Sequence, residues 1–321
     1  MTSSSGKRRG KNTMKKSLVL MQPKDAYYFG LVHDESFDID EPFRKVSGFA
    51  AFILNVLRKF NLPLTRWFYG DWYKNAAEYD KIILFDFVVF RDENLLPNIA
   101  KKAPDSKRFI YYWNIIKDEQ YLQHRKKLAA ENGFKLYHYD HGNCSRYDMQ
   151  FNTIMYYEGI ELPVRPATSD LLFLGFVKDR GSKLNNLYRT IRESGFTPRF
   201  VIVKADAESR KYPFEFHDSY VPYMEYLDMV SESRGILDIA QENQDGFSMR
   251  VMEAIFLNKK LVSTNTALRD ADFYDPANIL VLDSDEVTKA QISEFFSSDF
   301  HPYPEEVRRY YSIGEWVRRF R

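Results

Sequence analysis

The chain has 321 residues and a mass of 38.0 kDa, with 44% hydrophobic and 28% charged residues, which is ordinary globular composition with room for two domains. Its one cysteine, Cys144, excludes a disulfide framework and a cysteine-rich zinc site; no apolar run approaches the ~18 residues of a membrane span, and the basic N-terminus lacks the apolar stretch of a secretory signal. The net charge of +1 hides an asymmetry: residues 1–16 hold six Lys/Arg and no acid, leaving 40 basic against 45 acidic residues, a balance that argues against a nucleic-acid-binding face.

Residues 1–16 read as a disordered basic tail that could touch anionic lipid. Order is expected to begin with a strand at Ser17–Met21. Pro42–Phe60 has helical spacing, with Phe49, Phe52, Ile53, Val56 and Leu57 near period 3.6. Lys81–Phe87 reads as a buried strand, so its Asp86 must lie at an exposed end or have a partner. Arg108–Trp113 is a further strand. Asp118–Asn132 is a polar helix closed by Gly133, and Phe134–Tyr139 is a strand. Such alternation predicts a parallel sheet covered on both faces.

Residues 140–168 break this rhythm and end in Leu162-Pro163-Val164-Arg165-Pro166, a linker signal. A second alternating set follows. Strands are expected at Asp170–Leu174, Arg199–Lys204, Gly235–Ala240, Lys260–Thr264 and Ile279–Leu282. Helices are expected at Gly181–Ser194, Pro222–Ser233, Ser248–Leu257 and Asp285–Ser297. Pro304–Arg321 reads as a closing helix, or as a basic, aromatic membrane-surface helix. The expected architecture is α/β, with two Rossmann-like domains facing across a cleft. Their bounds are 17–166 and 167–300, with 301–321 closing the structure and a ligand at the carboxyl ends of the strands.

The most informative stretch runs from Asn243 to Ala254, between a strand carrying Asp238 and a helix. A strand–loop–helix junction presents free backbone N–H groups and a positive dipole end, which suits phosphate. Arg250 in the first turn can clamp a diphosphate with its planar fork. Glu253 shares its helix face and can accept two ribose hydroxyls. Asp245, in the loop, can reach a sugar hydroxyl. The competing reading is local: Asp245 or Ser248 capping the helix, and Arg250 and Glu253 as a surface pair.

Asp245-Gly246-Phe247-Ser248-Met249-Arg250-Val251-Met252-Glu253-Ala254 resembles the E-G-F-G-x-P-x-x-E-A segment of GT-B glycosyltransferases, with the same acid-x7-Glu spacing. Asn258–Asn265 resembles their G-K-P-V-V-A-T strand, and Phe173–Gly181 their F-V-G-R-x-x-x-x-K-G strand and loop. The nearer likeness is to short bacterial polysaccharide and lipopolysaccharide biosynthesis proteins. The resemblance covers residues 170–285 and implies nucleotide-sugar binding in the second half. It makes Glu253 the ribose ligand and Asp245 a donor-sugar contact. Arg180 and Arg250, with Gly246 and Ser248, become the diphosphate site. Asp245 replaces the first Glu, and Ser248-Met249-Arg250 replaces the small-x-Pro piece, so retaining and inverting chemistry both stay open.

Other signals are weaker. Asp270-Ala271-Asp272 and Asp283-Ser284-Asp285 have the form of a metal-binding triplet, but no metal site is expected. His138 and His141 lack zinc spacing. Asp34, with His33, in a loop expected to face the cleft, and Asp86 are candidates for a catalytic base, alongside Asp245. The aromatic stretches 67–72 and 111–114 could stack on sugar or simply fill the core. The expected activity is glycosyl transfer from a nucleotide diphosphate sugar to a saccharide or lipid-linked acceptor in surface polysaccharide synthesis. No separate cofactor and no nucleic acid are expected. The expected location is cytoplasmic, with contact at the inner face of an anionic membrane. A non-catalytic scaffold on the same fold and a nucleotide-sugar epimerase are the alternatives.

Overall fold

Central strands of a parallel sheet are buried on both faces and so read as unbroken apolar runs. Ser17–Leu20 and Lys81–Phe85 are such runs, buried almost throughout, and they pair at the centre of the first sheet. The computed structural model describes residues 16–24, 26–116, 118–177, 180–240, 245–283 and 287–321. The expected disordered tail, apart from Lys16, lies outside the described residues. So do Asn243, Gln244 and the last two residues of the Asp283-Ser284-Asp285 triplet.

The first half contains β1 (Ser17–Leu20), β2 (Phe37–Asp40), α1 (Gly48–Lys59), β3 (Lys81–Phe85), α2 (Asp86–Val89) and α3 (Leu95–Lys102). It continues with β4 (Lys107–Tyr112), α4 (Glu119–Glu131), β5 (Phe134–His138), α5 (His141–Tyr147) and β6 (Gln150–Phe151). The second contains β7 (Ser169–Gly175), α6 (Gly181–Glu193), β8 (Pro198–Val203), β9 (Glu215–His217), α7 (Tyr223–Ser231) and β10 (Ser233–Asp238). It continues with α8 (Met249–Phe256), β11 (Lys260–Ser263), β12 (Ile279–Val281) and α9 (Lys289–Ser297). Two further helices, α10 (Glu305–Tyr311) and α11 (Ile313–Arg319), follow.

Each half builds a six-stranded sheet, ordered β2-β1-β3-β4-β5-β6 and β12-β11-β10-β7-β8-β9, with every pair parallel. Both orders reverse direction once, between β1 and β3 and between β7 and β10. Doubly wound sheets place ligands beyond the carboxyl ends of the strands at such a reversal.

Several expectations are corrected. Pro42–Phe60 is helical only from Gly48, and it buries Leu54 and Leu57 while Phe49 and Phe52 point outward. β2 alternates Phe-Asp-Ile-Asp because, as an edge strand, it buries only one face. The irregular stretch 140–168 contains α5, whose N-cap Asp140 accepts from Asn143 N. The expected terminal helix is broken at Ser312. There Tyr156 N donates to Tyr311 O at 2.9 Å and Ile313 N donates to Tyr156 O at 2.8 Å, so the linker pairs with the backbone between α10 and α11.

The membrane-surface reading of 304–321 is also corrected, because its apolar side is covered. α11 crosses back onto the first sheet. Trp316 stands 5.0 Å from the Tyr111 ring and 5.8 Å from Phe85, and Phe320 packs 4.7 Å from Tyr137. Lys81 Nζ donates to the carbonyls of Val317 and Arg318, two of the acceptors a helix end leaves unpaired. Trp316 is fully buried. Trp316→Ala is expected to lower unfolding free energy by about 3–5 kcal/mol, read from the denaturation midpoint.

Candidate functional site

The reversal between β7 and β10 is where charge gathers. Two guanidiniums flank the Phe173 ring near the carboxyl end of β7: Arg180 at 5.6 Å and Arg250 at 5.7 Å from its centroid. Arg180 donates to the carbonyls of Ile239 and Phe176, each at 3.3 Å. Arg250, in the first turn of α8, donates to Leu174 O. These carbonyl acceptors orient both forks. Beside them, Phe176, Val177, Ile202, Lys204 and Asp206 line a cavity of ≈ 320 Å³ at the ends of β7 and β8. Lys204 Nζ lies 3.8 Å over the Tyr220 ring at this edge.

The loop before α8 is fixed from the other domain. Asp140, at the carboxyl end of β5 and 1% exposed, accepts from Asp245 N at 2.8 Å and Gly246 N at 2.7 Å through one oxygen. Its other oxygen accepts from Asn143 N and Nδ2. Burial alone would push this carboxyl up, but the N–H donors outweigh it and hold it below the usual range. Gly246 fits for a steric reason: a Cβ there would stand 2.6 Å from the Tyr139 ring and 3.0 Å from its carbonyl. Asp245 is exposed at this seam, with its own carboxylate beside Gly142. Asp140 stands at the start of a stretch that reads as irregular in the sequence, so neither its cap of α5 nor its contact with the second domain was legible.

Ser248 stands at the N-cap of α8, yet its hydroxyl does not cap the helix. It donates to Asp238 Oδ1 at 2.7 Å, and Ser263 donates to the other oxygen of Asp238. The hydroxyl expected to meet a diphosphate is thus engaged within the protein.

Glu253 is corrected more strongly. It is 2% exposed, and both oxygens are taken, by Tyr223 OH at 3.1 Å and Tyr226 OH at 2.7 Å. Tyr223 OH also bonds Tyr156 OH at 2.7 Å. This carboxylate therefore ties α8 to α7 and to the interdomain linker, and it offers no free oxygen to a ribose. Burial pushes it up to about 7, with the tyrosine hydrogen bonds and Arg250 pulling the other way.

The other two carboxylates expected to serve as a base lie in different places, Asp86 buried at the carboxyl end of β3 and Asp34 at the opposite edge of the sheet. Asp86 is the first residue of α2, just past β3, so it is partnered rather than exposed. It is 1% exposed, accepts from Trp113 N at 3.2 Å, and is pushed up by burial to about 7. It fixes the turn after β4. Asp34 is exposed, but it precedes β2 and accepts from Ser36 N and Oγ. Ser36 O meets Ser17 N at the start of β1. Asp34 and His33 therefore lie at the amino edge of the sheet, roughly a strand's length of 3.3 Å per residue from the cleft, because a parallel strand is entered from that edge.

Aromatic side chains occupy the first domain's half of the cleft. Tyr27 stacks on Trp113 at 6.1 Å and meets Tyr223 edge-on at 5.9 Å across the seam. His138 is buried, accepts from Asp140 N and faces Asn114 O, a structural role. Asp272 accepts from Tyr311 OH. Among the described residues no group of three His, Cys, Asp or Glu is arranged to hold a metal ion.

No protein-family model matches the chain, and no curated protein matches it in sequence. Its fold is similar to that of an alpha-glucosyltransferase solved with UDP-glucose and DNA containing an abasic site. That match has 11% identity and a TM-score of 0.50, covering 95% of this chain and 93% of that one. A glycosyltransferase from Rickettsia africae ESF-5 is 8% identical with a TM-score of 0.48, covering 95% of this chain and 96% of that one. CalG4, the calicheamicin glycosyltransferase, is 13% identical with a TM-score of 0.36, covering 95% and 85%. With its two parallel sheets joined at their carboxyl edges, the chain has the GT-B architecture of two Rossmann-like domains across a cleft.

Two predictions follow from the seam and the buried carboxylate. Gly246→Ala is expected to cost about 1–3 kcal/mol of stability by forcing Tyr139 and the loop apart, measured by chemical denaturation. Glu253 has a folded pKa raised from 4.5 to about 7, so its contribution is fully present below 4.5 and is lost as pH rises through 7. Glu253→Gln should therefore gain stability relative to the parent as pH rises through that window, by on the order of 1–3 kcal/mol, while the two converge at low pH.

Proposed function

We propose that the chain is a glycosyltransferase that takes a sugar from a nucleoside diphosphate sugar and passes it to an acceptor hydroxyl. One observation carries this reading: the guanidiniums of Arg180 and Arg250 converge on Phe173 at the strand-order reversal of the second sheet. In this reading the diphosphate lies between them, at the N-terminal end of α8, and the base enters the ≈ 320 Å³ cavity beside Phe176 and Lys204. Cleavage of the sugar–phosphate bond leaves negative charge on the departing diphosphate. The two preoriented cations and the helix end stabilise that charge where it develops.

The acceptor approaches from the first domain. The stacked Tyr27 and Trp113 rings suit the apolar face of a saccharide acceptor, free or lipid-linked, while a role in surface polysaccharide synthesis rests on the sequence resemblance. Of the three candidate carboxylates, Asp245 is the exposed one at the seam, placed to contact the donor sugar or receive the acceptor proton. The Asp140 contact holds the domains together around this point, so that donor and acceptor bound there would displace water and limit hydrolysis in favour of transfer.

The test is thermal-shift titration with a panel of nucleoside diphosphates and nucleotide sugars, with and without EDTA, followed by acceptor-dependent release of nucleoside diphosphate. A ligand that binds the native state raises the melting temperature in a concentration-dependent way. Arg250→Ala is expected to weaken binding about ten-fold or more, the loss of one charge-assisted contact. If no nucleotide shifts the parent protein, the donor site is refuted and a scaffold role takes its place. Turnover without acceptor would instead identify an epimerase or hydrolase.

A further inference from the structure

Helix α1 is apolar on two sides. Leu54 and Leu57 face the core, whereas Phe49, Phe52, Val56 and the C-cap residue Phe60 follow i, i+3, i+7, i+11 spacing along a different side. Phe49 is 76% exposed and Phe52 63%, and their rings stack at 6.4 Å. The chain then turns through Leu62 into a 3-10 segment, Pro63–Phe68, that leaves Trp67 60% exposed. Arg44 reaches Trp67 O, and the Asn94 amide holds Asn61 and Leu62. These large side chains thus project from a fixed surface. A helix apolar all round is normally covered by protein or lipid, and exposed apolar groups gathered on one face mark an interaction site.

The charge of the same segment names the partner. Residues 43–70 contain five Lys/Arg and no Asp or Glu. Arg44, Lys45, Lys59 and Arg66 are exposed around the aromatic side chains, and Arg58 stacks 4.0 Å over Phe43. Without those five cations and the six of residues 1–16, the formal net charge of +1 becomes −10. Cations thus outnumber acids beside the exposed Phe and Trp side chains, with Asp40, Glu41 and Asp71 gathered on the side of Arg44 and Lys45. A second copy of the chain would bring like charges together there, whereas an anionic lipid surface offers acyl chains to the rings and phosphates to the cations.

We propose that the surface formed by α1 and residues 60–67 is a monotopic docking face for an anionic bilayer. Phe49, Phe52, Phe60 and Trp67 enter the headgroup boundary, and the helix, about 18 Å long, lies in the plane of the membrane. Because α1 follows β2, this places the first domain, which carries the Tyr27–Trp113 half of the cleft, against the lipid. The proposal concerns lipid binding alone and stands whether or not the donor site is assigned correctly.

The test is co-sedimentation of the full chain with vesicles of phosphatidylcholine mixed with phosphatidylglycerol, against phosphatidylcholine alone. Binding to the mixed vesicles that weakens with salt, and falls about ten-fold or more in Phe49→Ser/Phe52→Ser, is the expected result. Lys45→Glu/Lys59→Glu should weaken it as well. Both pairs are exposed, so unchanged circular dichroism and melting would show that the variants remain folded. Parent protein that binds neither vesicle refutes the proposal. So does a Phe variant that binds like the parent, which would assign binding to the basic tail or another surface. Self-association in sedimentation velocity that disappears in the Phe variant, without vesicle binding, would make the face a contact between copies and also overturn it.

Discussion

One carboxylate serves two domains. Asp140 caps α5 with one oxygen and accepts the amides of Asp245 and Gly246 with the other. A buried anion is costly unless it is hydrogen-bonded on every side. That requirement makes the contact exacting: the loop must reach β5, Gly246 must lack a side chain, and Tyr139 must lie flat beneath it. The start of α8, and with it Arg250, is consequently positioned by a residue more than a hundred positions away.

Around that contact the seam is mostly tyrosine. Tyr28 donates to Met155 O, Tyr111 to Thr153 O, and Tyr156 meets Tyr223, which in turn holds Glu253. Tyrosine suits such a place because its ring fills an apolar interface while its hydroxyl satisfies a buried acceptor. The stretch 153–156 that leads to the linker is held by these bonds, and Glu253 belongs to this network. Arg180 and Arg250 stand apart from it: their bonds to backbone carbonyls fix the direction of their guanidiniums.

The sequence disclosed the alternation of strands and helices well, because buried parallel strands are continuous apolar runs such as Lys81–Phe85 and Arg199–Val203. It concealed the edge strands β2, β6 and β9, of which β2 buries only alternate residues and β6 and β9 are short and bury none. It concealed the break at Ser312 because the cause is a backbone pairing with Tyr156, distant in the chain. The segment around Arg250 was legible as a charged helix start after a strand. Which carboxylates were free was not legible. Glu253 carries the same spacing whether it faces solvent or two tyrosine hydroxyls, and Asp34 looked near the cleft only because loop length does not reveal which edge a loop returns to. The outward face of α1 was not legible for a related reason: a helix apolar all round fits any periodic template, so its pattern cannot say which side meets the core.

The return of α11 to the first sheet has a consequence for how the molecule is made. Trp316 and Phe320 complete the packing of Phe85, Phe109, Tyr111 and Tyr137, so the whole second sheet is spliced, in chain order, into the first domain. Domains emerging from a ribosome ordinarily fold in the order they are synthesised. Here the first to emerge keeps an uncovered aromatic surface until the last helix arrives. During that interval the nascent chain displays an aromatic face that α11 later covers.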